Sequence, residues 1–186
     1  MDVISALEQS YDQTAKLVAG LTPAELDAPS PCAGWDVRAT LNHMLGATWM
    51  FTLVNQGHAA EQHAGDVIGD DASLAVTAAA KENLASWRQP GAFEGDRSYF
   101  FGTFPATGAA MLNLEEVVVH NWDVAMATDQ ELVIDPALGQ LIYDGGASIP
   151  LGDFRDHDHD SHGPEVAVPA SVSIVDRLVG LLGRQL

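Results

Sequence analysis

Glu116 and His120 stand one helical turn apart in a stretch, Leu112 to Ala127, whose apolar residues recur at helical spacing. At about 100° per residue, a helix there aligns Leu112, Glu116, His120, Asp123 and Ala127 on one stripe, with Val119 and Val124 at its edges. A carboxylate and an imidazole so placed can grip one divalent ion from a rigid face, an arrangement that helix bundles use in their cores. They can equally form a buried pair that satisfies itself. His43 offers a third donor. It shares a stripe with Ala39, Ala47, Met50 and Val54, so its imidazole is expected to face protein and to need a partner there. The small alanines leave room for a ligand or a facing helix. A histidine satisfied within the core reads the same way, and spacing alone does not bring His43 to Glu116 and His120.

Asp123 can accept the second N–H of His120 or simply end the stripe in solvent. Trp35 and Trp122 read as core packing. Cys32, in the turn before the His43 helix, reads as a small buried residue rather than a nucleophile, since no base stands beside it in sequence. His157, His159 and His162 lie among aspartates in a polar tract that can capture metal weakly, but a Gly- and Asp-flanked loop supplies no preorganised geometry.

The elements that must position these residues are mostly helical. Val3, Leu7, Tyr11, Thr14 and Val18 form the stripe of a first helix that Gly20 can end. Thr22-Pro-Ala-Glu25 is a capping box opening a short second helix. Asp36 can cap a long helix from Val37 to about Gln56, packed through Val37, Leu41, Met44, Leu45, Thr48 and Thr52. A loop covers His58 to Asp71, and an Ala-rich helix runs from Ser73 to Arg88 before Pro90-Gly91. Phe93 to Phe104 reads as extended chain or a minor hairpin. The helix bearing Glu116 spans about Thr107 to Thr128, Asp135-Pro136 starts a short one, and Ser171 to Leu182 closes the chain after a mobile Asp153–His162 insertion. The sum is all-α: a four-helix bundle with short accessory helices and a minor hairpin, one domain over residues 1–186.

With 186 residues, 47% of them hydrophobic, the chain can fill a single core. A formal charge of −18 repels phosphate backbones and anionic lipid heads, so neither nucleic acid nor a membrane surface is an expected partner. No apolar run reaches a membrane span and no signal peptide is visible, which places the protein in the cytoplasm. One cysteine excludes an intramolecular disulfide and a Cys-rich zinc framework.

Two segments carry a family resemblance. Ser30-Pro-Cys-Ala-Gly-Trp-Asp-Val-Arg-Ala-Thr-Leu-Asn-His43-Met-Leu and Glu116-Val-Val-Val-His-Asn-Trp-Asp123 resemble the two signatures of the DinB-like family that includes mycothiol-dependent maleylpyruvate isomerases. The likeness runs from residue 1 to about 130, and Asp176 to Arg184 resembles the family's ending. It implies a DinB-like bundle in which His43, Glu116 and His120 are the three ligands of one divalent metal. Two imidazoles and a carboxylate suit zinc, and also nickel or iron, and three protein ligands leave an open position. The resemblance further implies mycothiol as co-substrate: a low-molecular-weight thiol, activated by the metal, would meet a small-molecule electrophile in an S-transferase or isomerase reaction. The isomerases of this family look two-domained, and the chain is too short for the second domain, so the specific isomerase activity does not carry over. A metal-dependent hydrolase and a non-catalytic metal or small-ligand binding protein are the alternatives. A homodimer stays open.

Overall fold

The computed structural model describes residues 2–61, 65–146 and 163–186. Its first three α-helices begin where a short polar side chain takes up an orphan N–H of the first turn. Asp2 accepts from Ser5 N at 3.0 Å to start α1, Val3–Ala19. Asp36 accepts from Ala39 N at 2.7 Å to start α2, Val37–Asn55. Asp71 accepts from Leu74 N at 2.9 Å to start α3, Ala72–Trp87. An antiparallel hairpin follows, β1 Asp96–Tyr99 paired with β2 Gly102–Pro105 in the register Tyr99↔Gly102. It delivers the chain into α4, Ala106–Ala127. Then come α5, Pro136–Gly146, and α6, Ile174–Leu181, the latter opened by a reciprocal capping box of Ser173 with Asp176.

Helices α1 and α2 each pack against both α3 and α4, so α1 lies diagonally across the bundle from α2, and α3 from α4. Leu7, Leu41, Met44, Leu45, Leu114 and Val117 are fully buried between them. Buried amides tie the helices in register. Asn121 of α4 accepts from Thr14 Oγ1 of α1 at 2.8 Å and donates to Ser10 O at 2.9 Å. Asn83 of α3 donates to Thr48 O and Thr52 Oγ1 of α2, and Trp87 Nε1 donates to Asn113 Oδ1 of α4 at 2.9 Å. Each is a buried polar group with its partner supplied by a different helix, which penalises sliding of one helix past another.

The ends of the chain's elements matter as much as their middles. α6 stops in a Schellman motif: Gly183 N donates to Gly180 O, and Arg184 N donates to Val179 O at 2.9 Å. Gly183 has φ +90°, and a Cβ there would come within 2.5 Å of the backbone of Gly163, which crosses it. Only glycine fits that crossing, and the turn it makes sends Arg184 back into the protein.

The all-α bundle and the hairpin stand as expected. Three local expectations need correction. The Thr22 box caps no α-helix: Glu25 does reach back to Thr22 N and Oγ1 at 2.7 Å, but only a single 3₁₀ turn, Glu25–Asp27, follows. Pro29 blocks continuation, because it disfavours helical backbone at the residue before it. The closing helix begins at Ile174 rather than Ser171, since Ser173 holds the capping position. The third concerns His43, whose side chain is 33% exposed rather than enclosed by protein. The Asp153–His162 insertion lies outside the described residues. Among those described, no helix is long and apolar enough to cross a membrane.

Because Asp36 both ends the preceding loop and starts the helix that carries His43, Asp36→Ala is expected to cost about 1 kcal/mol. That is a fall of roughly 2–4 °C in melting temperature for a chain of this size. Thermal unfolding by circular dichroism checks it, with Asp36→Ser expected to keep most of the stability that Asp36→Ala loses.

Candidate metal centre

The site is built where α2 faces α4, two turns inside the start of α2. Helical spacing aims Glu116 and His120 from α4 at the same point that His43 reaches from α2. Glu116 Oε1 lies 2.7 Å from His43 Nε2 and 3.2 Å from His120 Nε2. The ligand atoms of the three residues all fall within 4.8 Å of one another. Their exposure is graded: 33% for His43, 13% for Glu116 and 1% for His120. The cluster therefore opens toward the surface on the side of His43 and is closed behind His120.

Despite these short distances, Glu116 Oε1 is buried without a hydrogen bond of good geometry. Neither ring aims an N–H squarely at it, so the pairing is electrostatic. An orphaned carboxylate oxygen between two imidazole nitrogens is the arrangement of three lone-pair donors around a common point, and an N, N, O donor set suits a zinc-type ion. The residues present thus fit a divalent metal.

The backing of His120 is complete. Its Nδ1 lies 2.8 Å from Asp123 Oδ2, so Nδ1–H donates to the carboxylate and Nε2 is turned toward Glu116. Asp123 is fully buried and its oxygens also accept from Arg184, Nε to Oδ1 at 3.1 Å and Nη2 to Oδ2 at 2.7 Å. The same guanidinium donates to Leu182 O at 3.0 Å and approaches Cys32 Sγ at 3.5 Å. The alignment that sequence left open for Asp123 is therefore settled toward His120, and Arg184 is the partner that sequence reading did not single out. Nothing in its spacing marks it, for it reaches Asp123 from 61 residues away.

Burial and charge set the protonation states. Desolvation alone would push the Glu116 carboxyl up, but the imidazoles of His43 and His120 outweigh it and hold the carboxyl well below the usual range. For His120, burial works against the charged ring, yet Glu116 and then Asp123 raise its pKa to about 9. In the metal-free protein at neutral pH, His120 is thus an imidazolium bridging two carboxylates. Asp123 is held low by His120 and Arg184 against its own burial.

Cys32, His120 and Asp123 form a second group of converging donors. It is a poor metal site. Burial pushes the Cys32 thiol up to about 12, Asp123 is engaged by a guanidinium, and Nδ1 of His120 is already taken by Asp123. Cys32 is buried as expected, and the Arg184 guanidinium approaches it from far along the chain.

The loop before α2 explains the Cys-Ala-Gly-Trp motif. Trp35 N donates to Cys32 O at 3.1 Å, closing a turn whose third residue, Gly34, has φ +79°. That is the glycine position of a type II turn. The turn sends Cys32 inward to Arg184 and lays the Trp35 ring against His43, centroids 4.7 Å apart, and 5.9 Å from His120. Trp35 is half-buried and walls the cluster, a correction to its reading as core packing, whereas Trp122 is buried as expected. His157, His159 and His162 lie outside the described residues.

The family described as the mycothiol maleylpyruvate isomerase N-terminal domain matches residues 7–125, a span that holds both halves of the cluster. Two uncharacterized proteins of Mycobacterium tuberculosis, from strains CDC 1551 and H37Rv, are each 27% identical over 143 residues, covering 74% of this chain and 74% of their own length. No solved structure matches.

The pH dependence of stability follows from His120. A ring whose pKa is raised on folding contributes stability that is complete below its unfolded value near 6.5 and is lost as pH rises through about 9. Chelator-treated protein should therefore melt at progressively lower temperature between pH 6.5 and 9, and His120→Gln should flatten that slope. A wild-type melting temperature constant across this interval would contradict the charge assignment.

Proposed function

Because the chain belongs to the mycothiol maleylpyruvate isomerase N-terminal domain family, we propose that it is a divalent-metal protein acting on a small electrophile with a low-molecular-weight thiol, mycothiol in hosts that make it. Nε2 of His43, Oε1 of Glu116 and Nε2 of His120 would hold the ion, zinc by the chemistry of the donors, with nickel or iron also suited. The observation that carries this reading is the buried Glu116 oxygen, without a hydrogen bond, between two imidazole nitrogens from two helices.

When bound, a divalent ion with an open position favours thiolate over thiol at neutral pH and so makes a nucleophile available. The protein's own residues do the rest. His120 would give up its Nε2 proton to such an ion while its Nδ1–H goes on donating to Asp123, which fixes the ring. His43, at the exposed edge, leaves the approach open on its side, and the half-buried Trp35 ring beside it limits which shapes can enter. Cys32, held as a thiol behind His120, does not compete with an external thiol. S-transfer and thiol-assisted isomerisation both fit this arrangement.

Metal content and turnover together test it. Protein purified without an affinity tag should carry one divalent ion per chain, His43→Ala should lose it, and deletion of Asp156 to His162 should keep it. Retention by His43→Ala with loss on the deletion would move the site to the histidine-rich tract. Conjugation of mycothiol to members of an electrophile panel should then fall to background in Glu116→Gln. Turnover of esters or amides without thiol would instead mark a hydrolase, and tight ligand binding with no turnover would mark a binding protein.

A further inference from the structure

We propose that Arg184 is a positioning residue for the metal centre: delivered by the C-terminal segment, it clamps Asp123, and through Asp123 it fixes the ring of His120 so that Nε2 faces Glu116 and His43. The proposal rests on the metal reading of that cluster and extends it to a part of the chain beyond residues 7–125, the stretch that the family covers.

Three observations carry it. The first is the chain of contacts. Arg184 Nε and Nη2 reach the two oxygens of Asp123 at 3.1 and 2.7 Å, and Asp123 Oδ2 takes the Nδ1–H of His120 at 2.8 Å. A planar fork matched to both carboxylate oxygens fixes the carboxylate's plane, which a point charge does not. Since Asp123 sits on the same turn of α4 as His120, a fixed carboxylate plane leaves the imidazole one orientation. The second is burial: Arg184, Asp123 and His120 are all enclosed, so water is not at hand to take over any of these bonds.

The third is the way in which Arg184 is aimed. The Schellman motif at the end of α6 reverses the backbone at Gly183, where the positive φ and the crossing of Gly163 admit no side chain. Val166 N donates to Gly180 O at 2.8 Å, so residues 163–166 lie along the end of α6 and hold the reversed turn in place. The bend at Leu182-Gly183-Arg184 thus has a purpose beyond stopping a helix. It turns the last cation of the chain onto a carboxylate of α4. A residue that only stapled the C-terminus could pair with any acidic group on the surface; this one pairs with the carboxylate that holds a ligand histidine.

Full-length wild-type protein is compared with Arg184→Gln, Arg184→Lys and the double variant Asp123→Asn/Arg184→Gln. The double variant leaves no unpaired buried charge and guards against simple misfolding. Two readouts are taken. Titration with Co²⁺ gives metal affinity by absorbance, and proton NMR of the metal-free protein follows the exchange-protected His120 Nδ1–H, assigned by its loss in His120→Gln. Arg184→Gln and the double variant are expected to bind Co²⁺ about 10- to 100-fold more weakly. In both, the Nδ1–H signal should broaden into the solvent line, and Arg184→Lys should fall between them and the wild type. Variants that melt lower, yet keep wild-type Co²⁺ affinity and a protected Nδ1–H, would overturn the proposal and leave Arg184 a staple of the fold. Wild-type protein that takes up no Co²⁺ would overturn the metal reading instead, and the clamp would then stand or fall on the Nδ1–H signal alone.

Discussion

A carboxylate buried between two imidazoles, with no donor squarely aimed at it, is costly to keep in a protein, and the rest of this structure is arranged around keeping it. Glu116 cannot move away, because α4 is locked to α1 through Asn121 and to α3 through Asn113. His43 cannot retreat, because α2 is locked to α3 through Asn83. These amides are spread along the bundle, and each prevents a slide that would part the three donors. In the metal-free protein the cost is offset by charge: a proton on His120 places a cation between Glu116 and Asp123.

Asp123 extends the same logic inward. A second carboxylate close to the first would repel it if left unneutralised. Arg184 supplies the compensating charge, so the buried set alternates in sign: guanidinium, carboxylate, imidazolium, carboxylate. Alternation of this kind explains how one small region tolerates two buried acids, and it gives His120 a fixed back and an adaptable front. His43 is the most exposed member of the cluster, at 33% against 13% for Glu116, so the cluster meets solvent on that side.

Much of this was legible in the sequence. The i, i+4 spacing of Glu116 and His120 placed both on one helical face, and the alanines around His43 marked a helix surface with room for a partner. What spacing could not supply was the meeting of the two helices, which depends on packing between residues far apart in the chain. The two motifs, matched in order to one family, carried that information instead, and the 7–125 match agrees. The contact of Arg184 with Asp123 was invisible for a physical reason: it relies on a left-handed glycine and a backbone crossing, neither of which has a periodic signature. Thr22 to Glu25 shows the converse, a good capping motif with too few residues before Pro29 to propagate a helix.

X-ray absorption at the zinc edge tests the central claim most directly, because it counts the atoms around the ion irrespective of activity. Zinc-loaded protein should show only nitrogen and oxygen neighbours at about 2.0–2.2 Å, with the outer-shell scattering of two imidazoles. In His43→Ala that scattering should fall to one imidazole or the ion should be absent. A sulfur neighbour at about 2.3 Å would place the ion on Cys32 and contradict the assignment to His43, Glu116 and His120.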